Sequence, residues 1–528
     1  MRWGAILLVV GLSLAGGALA YNGWQAWQLR QPGFHDQDCW FQNGISGPAR
    51  CGLFVVRENR ENPDSRTIRL PVVIFDAQNP AKGKEPILYL TGGPGAPADL
   101  GEQWRIDGWW AKRRALPEDR DLIVMGQRGT GLKEPDFGCP EADNSESGLG
   151  MAERLSSSPE AVAAMRQALR DCAARLVDEG VDLTAYNSRQ SAADIAELRS
   201  ALGIESWTLY GVSYGSRLAL STLRYHPEGI RAAILDSVLP PESDWVLDHP
   251  GHFREVMERV FADCAADTDC TTQNGDLRQG YDLAVQRLSA EPALSLTLRE
   301  IFGESEQVFD IGQKQYHYRP SHFADLQDVS ITFDRMQLDE LISEAFATAE
   351  TRALIPAIIR ETAAGRPTVL RAFFRDQLLR SSLESDISTA LYLSHICRDE
   401  LAFIAKDEIE RAVEKAGDLG HLIESPWIGD YCEVWPSGRA EPVENTPVDS
   451  TVPVLLLAGR YDPITPPSLA RRAAAHLANG YLYELDTGHG VLSESLCAEH
   501  LVNLFLEDLA GPPESACMPK GRLRLLYR

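Results

Sequence analysis

Short, nearly continuous apolar runs recur along this chain, each closing in a glycine-rich or polar turn: ILYLTGG, DLIVMGQRG, WTLYGVS, AAILDSV, VLLLAGRYD and YLYELDTGHG. Runs of this kind, with no polar alternation, suit strands buried on both faces. Ahead of them, GLFVVREN and TIRLPVVIFDA are rich in Val and Ile and are separated by the turn formers Asn62-Pro63-Asp64-Ser65; the pattern predicts a hairpin that opens a sheet. Between the runs, residues 161–179 and 191–202 alternate small, apolar and charged residues at helix spacing. Strands alternating with helices predict an α/β protein with a mostly parallel central sheet and helices on both faces.

The alternation stops after Val238-Leu239-Pro240-Pro241. From there to about Thr446 the pattern is mainly helical, with clear periods over 252–263, 337–348 and 407–416, and strand signals return at Val452. The organisation predicted is a core over 21–240, a helical insertion over 241–446 sitting as a lid, and the rest of the core over 447–528. A length of 528 residues agrees with that, since single cores rarely grow beyond about 300 residues.

The amino terminus has its own pattern. Arg2 precedes an almost wholly apolar stretch from Gly4 to Gly17, and Ala18-Leu19-Ala20 offers small residues for cleavage, so residues 1–20 predict a signal peptide and a periplasmic or secreted protein. The competing reading is an uncleaved membrane anchor. Beyond this segment no run is apolar and long enough to span a membrane. Ten cysteines in an exported chain point to disulfides, and pairing neighbours in order gives Cys39–Cys51, Cys139–Cys172, Cys264–Cys270, Cys397–Cys432 and Cys497–Cys517. No Cys-x-x-Cys occurs and the histidines are scattered, so neither a metal nor another cofactor is expected.

Formal charge is −25, from 51 basic against 76 acidic side chains. Such a surface repels phosphate backbones and excludes nucleic acid as a partner; it either keeps the protein soluble or favours substrates that carry an ammonium group.

The chemistry is concentrated at the ends of the apolar runs. Gly211-Val212-Ser213-Tyr214-Gly215 follows WTLY and precedes the helix-like SRLALSTLRY, the strand, turn and helix context that exposes a nucleophilic serine. A serine needs a base oriented by a third group. In the chain order serine, acid, histidine, the candidates are Asp462, just past VLLLAGRY, and His489 in Thr487-Gly488-His489-Gly490. Thr91-Gly92-Gly93-Pro94-Gly95 follows ILYL, and the amides of Gly93 and Tyr214 are assigned to an oxyanion hole; the alternative is an ordinary tight turn.

With these residues in place, the chain resembles the prolyl aminopeptidase and tripeptidyl aminopeptidase branch of the α/β-hydrolases. The match is carried by GGPG at 92–95, GQRGTG at 126–131, YNSRQSAADIAELRSALGIESWTLYGVSYGSRLAL from Tyr186, LDSVLPP from Leu235, AGRYDPITPP from Ala458 and TGHG from Thr487. In the insertion it extends to Cys397-Arg398-Asp399-Glu400 and Cys432-Glu433-Val434-Trp435-Pro436. The resemblance implies an α/β-hydrolase fold with a large helical lid, and an exopeptidase that takes peptides with a free amino terminus held by carboxylates. Asp399 and Glu400, beside a cysteine, are assigned to that amine; the alternative is a solvated acidic face. The chain departs from its relatives at Thr91, where many have His, at Gly126, where they have Asp, and at Lys133, where a small hydroxyl residue is frequent. Two other functions stay open: an esterase or amidase acting on small non-peptide acyl compounds, and an envelope binding protein with a disabled hydrolase fold.

Overall fold

The structure is a computed structural model, and it describes residues 31–517 apart from 42–47, 80–83, 99, 102, 132–136, 144–158, 291–293, 298–299, 301–306, 312–313, 319–329, 367, 370, 373–374, 376–386, 424–427 and 515. The signal segment and Lys133 lie outside the described residues.

Nine strands form one sheet in the order β1-β2-β3-β5-β4-β6-β7-β12-β13. β1 (Gly33–Gln37), β2 (Ala49–Arg57) and β3 (Thr67–Phe75) are antiparallel, and β3 pairs antiparallel with β5 (Leu122–Met125). From β5 onward every pairing is parallel, through β4 (Ile87–Leu90), β6 (Trp207–Val212), β7 (Ile230–Asp236), β12 (Val454–Gly459) and β13 (Gly480–Leu485). This is the α/β-hydrolase arrangement. Each apolar run became a strand, and β12 shows why no polar alternation was needed: Leu455 and Leu457 pack in one core layer, Leu456 and Ala458 in the other.

Helices cover both faces. α1 (Gln103–Arg113) packs on the side where Trp109, Trp110 and Phe505 meet Ile234 and Leu457, whereas α2 (Pro159–Asp178), α3 (Ser188–Ala201) and α4 (Tyr214–Tyr225) pack on the side of Leu209, Leu218 and Leu235. Burial of this kind stabilises by roughly 25 cal/mol per Å² of apolar surface. Asn187 caps α3 by accepting from the amide of Gln190.

Between β7 and β12 the described chain carries helices around a separate apolar cluster of Phe253, Val260, Leu341 and Ile358. They include α5 (Trp245–Ala266), α6 (Leu277–Leu288), α7 (Arg335–Ala345) and α8 (Ile355–Ala363), whereas α9 (Thr389–His395) and α10 (Lys406–Ala416) pack through Leu391, Leu393 and Ile409 on the core of the sheet. Two small antiparallel pairs also occur here, β8 (Leu294–Thr297) with β11 (Ser330–Phe333) and β9 (Gln307–Ile311) with β10 (Lys314–Tyr318), which the helical pattern did not anticipate. The chain returns to the core through α11 (Pro467–Ala474), α12 (Val491–Glu494) and α13 (Leu496–Glu507).

Five disulfides join Cys39 to Cys51, Cys139 to Cys172, Cys264 to Cys270, Cys397 to Cys432 and Cys497 to Cys517, with Cα–Cα distances of 5.1 to 5.5 Å. No helix among the described residues is long and apolar enough to cross a membrane.

Candidate active site

Ser213 stands between β6 and α4 with φ 58° and ψ −126°, a left-handed backbone that non-glycine residues rarely adopt. The flanking glycines make the turn possible. A Cβ on Gly211 would lie 2.1 Å from the carbonyl oxygen of Gly215, and one on Gly215 would lie 2.1 Å from that of Leu90. The Ser213 amide donates to the Asp236 carbonyl at 2.9 Å, and Ser216 Oγ donates to the Ser213 carbonyl at 2.6 Å, so the turn is fixed from both sides.

Asp462 and His489 meet beside this turn. His489 Nδ1 lies 2.8 Å from Asp462 Oδ2. Thr465 Oγ1 donates to the same oxygen at 2.6 Å, and the amides of Ile464 and Thr465 donate to Oδ1, each at 2.9 Å. Burial disfavours the Asp462 anion, but the His489 charge and these donors outweigh it and hold the carboxyl at about 2. On His489 burial lowers the basicity, and Asp462, with a contribution from Asp236, more than reverses that, so the imidazole is a stronger base than an ordinary histidine. Among the described residues no hydrogen bond joins Ser213 Oγ directly to His489; in enzymes without substrate such contacts are commonly long and tighten on binding.

Gly92 lies against the nucleophile, a Cβ there falling 3.1 Å from Ser213 Cβ. The loop it begins is braced by Gln127, whose Nε2 donates to the Thr91 carbonyl at 2.9 Å and to Thr91 Oγ1 at 2.8 Å. The helical insertion touches the same loop, since the Ser388 amide donates to the Gly95 carbonyl at 3.3 Å.

The carboxyl-terminal part of the chain, residues 421–517, matches the family model described as TAP-like protein, a stretch that contains both Asp462 and His489. Over 494 residues the chain is 25% identical to the serine protease Hip1 of Mycobacterium tuberculosis, covering 89% of this chain and 88% of that protein. It is 24% identical over 249 residues to the tripeptidyl aminopeptidase of Streptomyces lividans, 46% of each chain, and 25% identical over 177 residues to the proline iminopeptidase of Neisseria gonorrhoeae, 33% of this chain and 40% of that one. These relatives place the similarity of the chain in the aminopeptidase branch of the α/β-hydrolases.

Two departures from the pattern of that branch have local explanations. Gly126 has no room for a carboxylate: a Cβ there would lie 2.9 Å from Pro71 Cγ, and its amide is already donated to the Pro71 carbonyl at 2.8 Å. Thr91 is served by Gln127, as described above, so the loop keeps a polar brace without the histidine common in the branch.

The structure places the two carboxylates assigned to the substrate amine in other contacts. Asp399 Oδ2 accepts from the amide of Ser188 at 3.1 Å and from its hydroxyl at 2.7 Å, with His395 Nδ1 at 3.3 Å, while Oδ1 accepts from Arg398 at 2.7 Å. Burial opposes its charge, yet the His395 hydrogen bond and the charges of Arg398 and Arg217 hold it well below the usual carboxylate range. Both oxygens of this buried carboxylate are engaged by protein donors. Glu400 is buried in an ion pair with Arg217. The segment carrying both, a short π-helical turn over Ile396–Glu400, is tied to residue 432 by a disulfide. It therefore supports the nucleophile turn: Arg217 donates to the Asp399 carbonyl at 3.0 Å, and the Tyr214 hydroxyl lies 2.9 Å from Ser188 Oγ and 3.1 Å from His395 Nδ1.

A carboxylate not singled out in the sequence stands nearby. Both oxygens of Glu242 are buried without a hydrogen-bond partner, and its charge acts on Arg217. Only its position shortly after LDSVLPP could have marked it.

Proposed function

We propose that the protein is an exported serine exopeptidase that removes short fragments from the amino terminus of peptides through an acyl-enzyme. The observation that carries this reading is the buried Asp462–His489 pair beside a strained serine turn, in a chain whose relatives are named as a serine protease and as aminopeptidases. In the first step His489 takes the Ser213 proton as Oγ attacks the scissile carbonyl, and then returns it to the leaving amine. Asp462 holds the imidazole in the tautomer with hydrogen on Nδ1 and stabilises its cation. The amides of Gly93 and Tyr214 donate to the developing oxyanion, and water repeats the sequence on the acyl-enzyme. No metal or cofactor is needed for these steps.

The helical insertion acts as the lid that restricts the cleft to chain ends, and Glu242, whose oxygens are buried without a hydrogen-bond partner, supplies the negative charge for the substrate ammonium. Five disulfides fit an oxidising compartment, as an exported protein requires.

Two measurements test the reading. A fluorophosphonate should form a covalent adduct on Ser213, and no adduct on folded protein would favour a binding role over catalysis. Chromogenic amides of amino acids and tripeptides should be cleaved with the amine free and poorly with it blocked; equal turnover would favour the esterase or amidase reading.

A further inference from the structure

Asp236 ends β7, the strand between the one that presents Ser213 and the one that leads to Asp462, and it is fully buried. Its carbonyl accepts the Ser213 amide at 2.9 Å. Its carboxylate reaches the opposite partner of the reaction: Oδ1 accepts the Val491 amide at 2.7 Å, and Oδ2 accepts the Leu492 amide at 3.0 Å and the Tyr210 hydroxyl at 3.2 Å. Ser237 completes the tie, accepting the Gly490 amide on Oγ at 2.8 Å while its own amide donates to the Leu457 carbonyl at 2.9 Å. Three consecutive amides after His489 are thus taken by two residues. Ser237 does this at φ 55°, an unfavourable conformation for a serine and of the sort retained where position matters.

We propose that Asp236 is a positioning residue for His489, a second carboxylate that locks the histidine loop to the nucleophile turn and adds negative charge near the imidazole. The inference rests on the triad reading given above. Val491 and Leu492 pack in the core, but a cavity of about 450 Å³ opens beside the loop, bounded by His489, Gly490, Leu492 and Ser493 on one side and by Tyr89 and Tyr210 on the sheet. Hydrogen bonds hold the loop on that open side. A buried carboxylate is costly, and burial does push the Asp236 acid up despite the two amides, so a neutral acceptor would serve better if support of the backbone were the whole role. The negative charge has a use when His489 becomes a cation during the reaction, and Asp236 is one of the groups that raise His489.

The other charged or titratable groups facing this region are Asp462 after β12, Tyr89 and Tyr210 on the sheet, Lys112 and Glu499 in the cavity, and the Arg352–Glu494 pair, in which Glu494 also accepts the Gly488 amide. Asp462 and, to a smaller extent, Asp236 raise the imidazole.

The test is Asp236→Asn, which keeps the shape and one acceptor oxygen but removes the charge. The expected result is a fall in kcat of about tenfold to a hundredfold, as for a small misplacement of a reacting group, with the acidic limb of the kcat/KM profile displaced to lower pH by about half a unit or more. A merely structural role would not move the limb. Ser237→Ala removes the Gly490 acceptor and no charge; it should lower kcat and leave the limb in place, and it decides the matter if Asp236→Asn does not fold. Wild-type kcat in Ser237→Ala, or an Asp236→Asn enzyme with unaltered kcat and limb, overturns the proposal. Failure of wild-type protein to form the Ser213 adduct would instead sink the hydrolase reading itself, so the two failures are separable.

Discussion

Nδ1 of His489 and Oδ2 of Asp462 are 2.8 Å apart in a site where the aspartate has no solvent exposure, so the proton on that nitrogen and the charge opposite it determine each other. Because Asp462 outweighs the effect of burial, the limb that reports neutral His489 should lie above the ordinary histidine value of about 6.5, with kcat/KM rising as pH increases through it. Asp462→Asn should displace that limb downward and lower kcat by about 10,000-fold through the wrong tautomer. A pH profile on an amino-acyl amide checks both effects, and a limb that stays in place would show that another group sets it.

The nucleophile turn admits no side chain at its flanking glycines. Gly211→Ala and Gly215→Ala each drive a Cβ to 2.1 Å from a backbone oxygen, and backbone cannot yield as a flexible side chain can. Each should destabilise by about 3 kcal/mol or more, read as a lowered Tm or as loss of soluble protein. A Tm equal to wild type would mean that the turn is looser than the structure shows.

Acid should weaken the fold through two histidines on α5. Burial depresses both His249 and His252 to about 4, with His252 also acting on His249, while Asp462 pulls in the other direction without prevailing. An unfolded histidine takes a proton near 6.5, so over the window from 6.5 down to 4 the unfolded state binds more protons and stability falls as pH falls. The loss is up to about 3 kcal/mol for each histidine. Thermal unfolding of wild type and His252→Gln across this window tests it, the variant being expected to lose less.

Removing the bridge that holds the π-helical turn should be felt at the serine. The Cys397–Cys432 disulfide closes a 35-residue separation, and replacing both cysteines by alanine should cost about 3 to 4 kcal/mol on the chain-entropy model. Since Asp399 and Arg217 join this segment to Tyr214, turnover should fall as well, at temperatures where the variant is still folded by circular dichroism. Full turnover there would separate the cap from the nucleophile turn.

How much of this was legible beforehand follows from which interactions are local. The parallel strands could be read because burial on both faces demands runs such as VLLLAG, and the serine turn because steric exclusion at Gly211 and Gly215 acts within a few residues. Strand β1, GFHDQ, has no apolar run and is recruited by pairing with β2, so its sequence does not announce it. Asp399 and Glu400 are visible as acids in the sequence, but apart from Arg398 the cation that meets them, Arg217, comes from α4 nearly two hundred residues away, so nothing local shows that Arg398, Ser188 and Arg217 occupy them in place of a ligand. Asp236 in LDSV looks like any strand-ending aspartate until the loop after His489 folds over it.

The contact of Tyr214 and Ser188 with His395 and Asp399 has a consequence for exchange between relatives. One edge of the catalytic turn is built from residues of the inserted helices, so the insertion is not a detachable specificity cassette. A chimera that takes this region from a relative must bring matching partners at 188 and 214, or it will trade substrate preference for a poorly set serine.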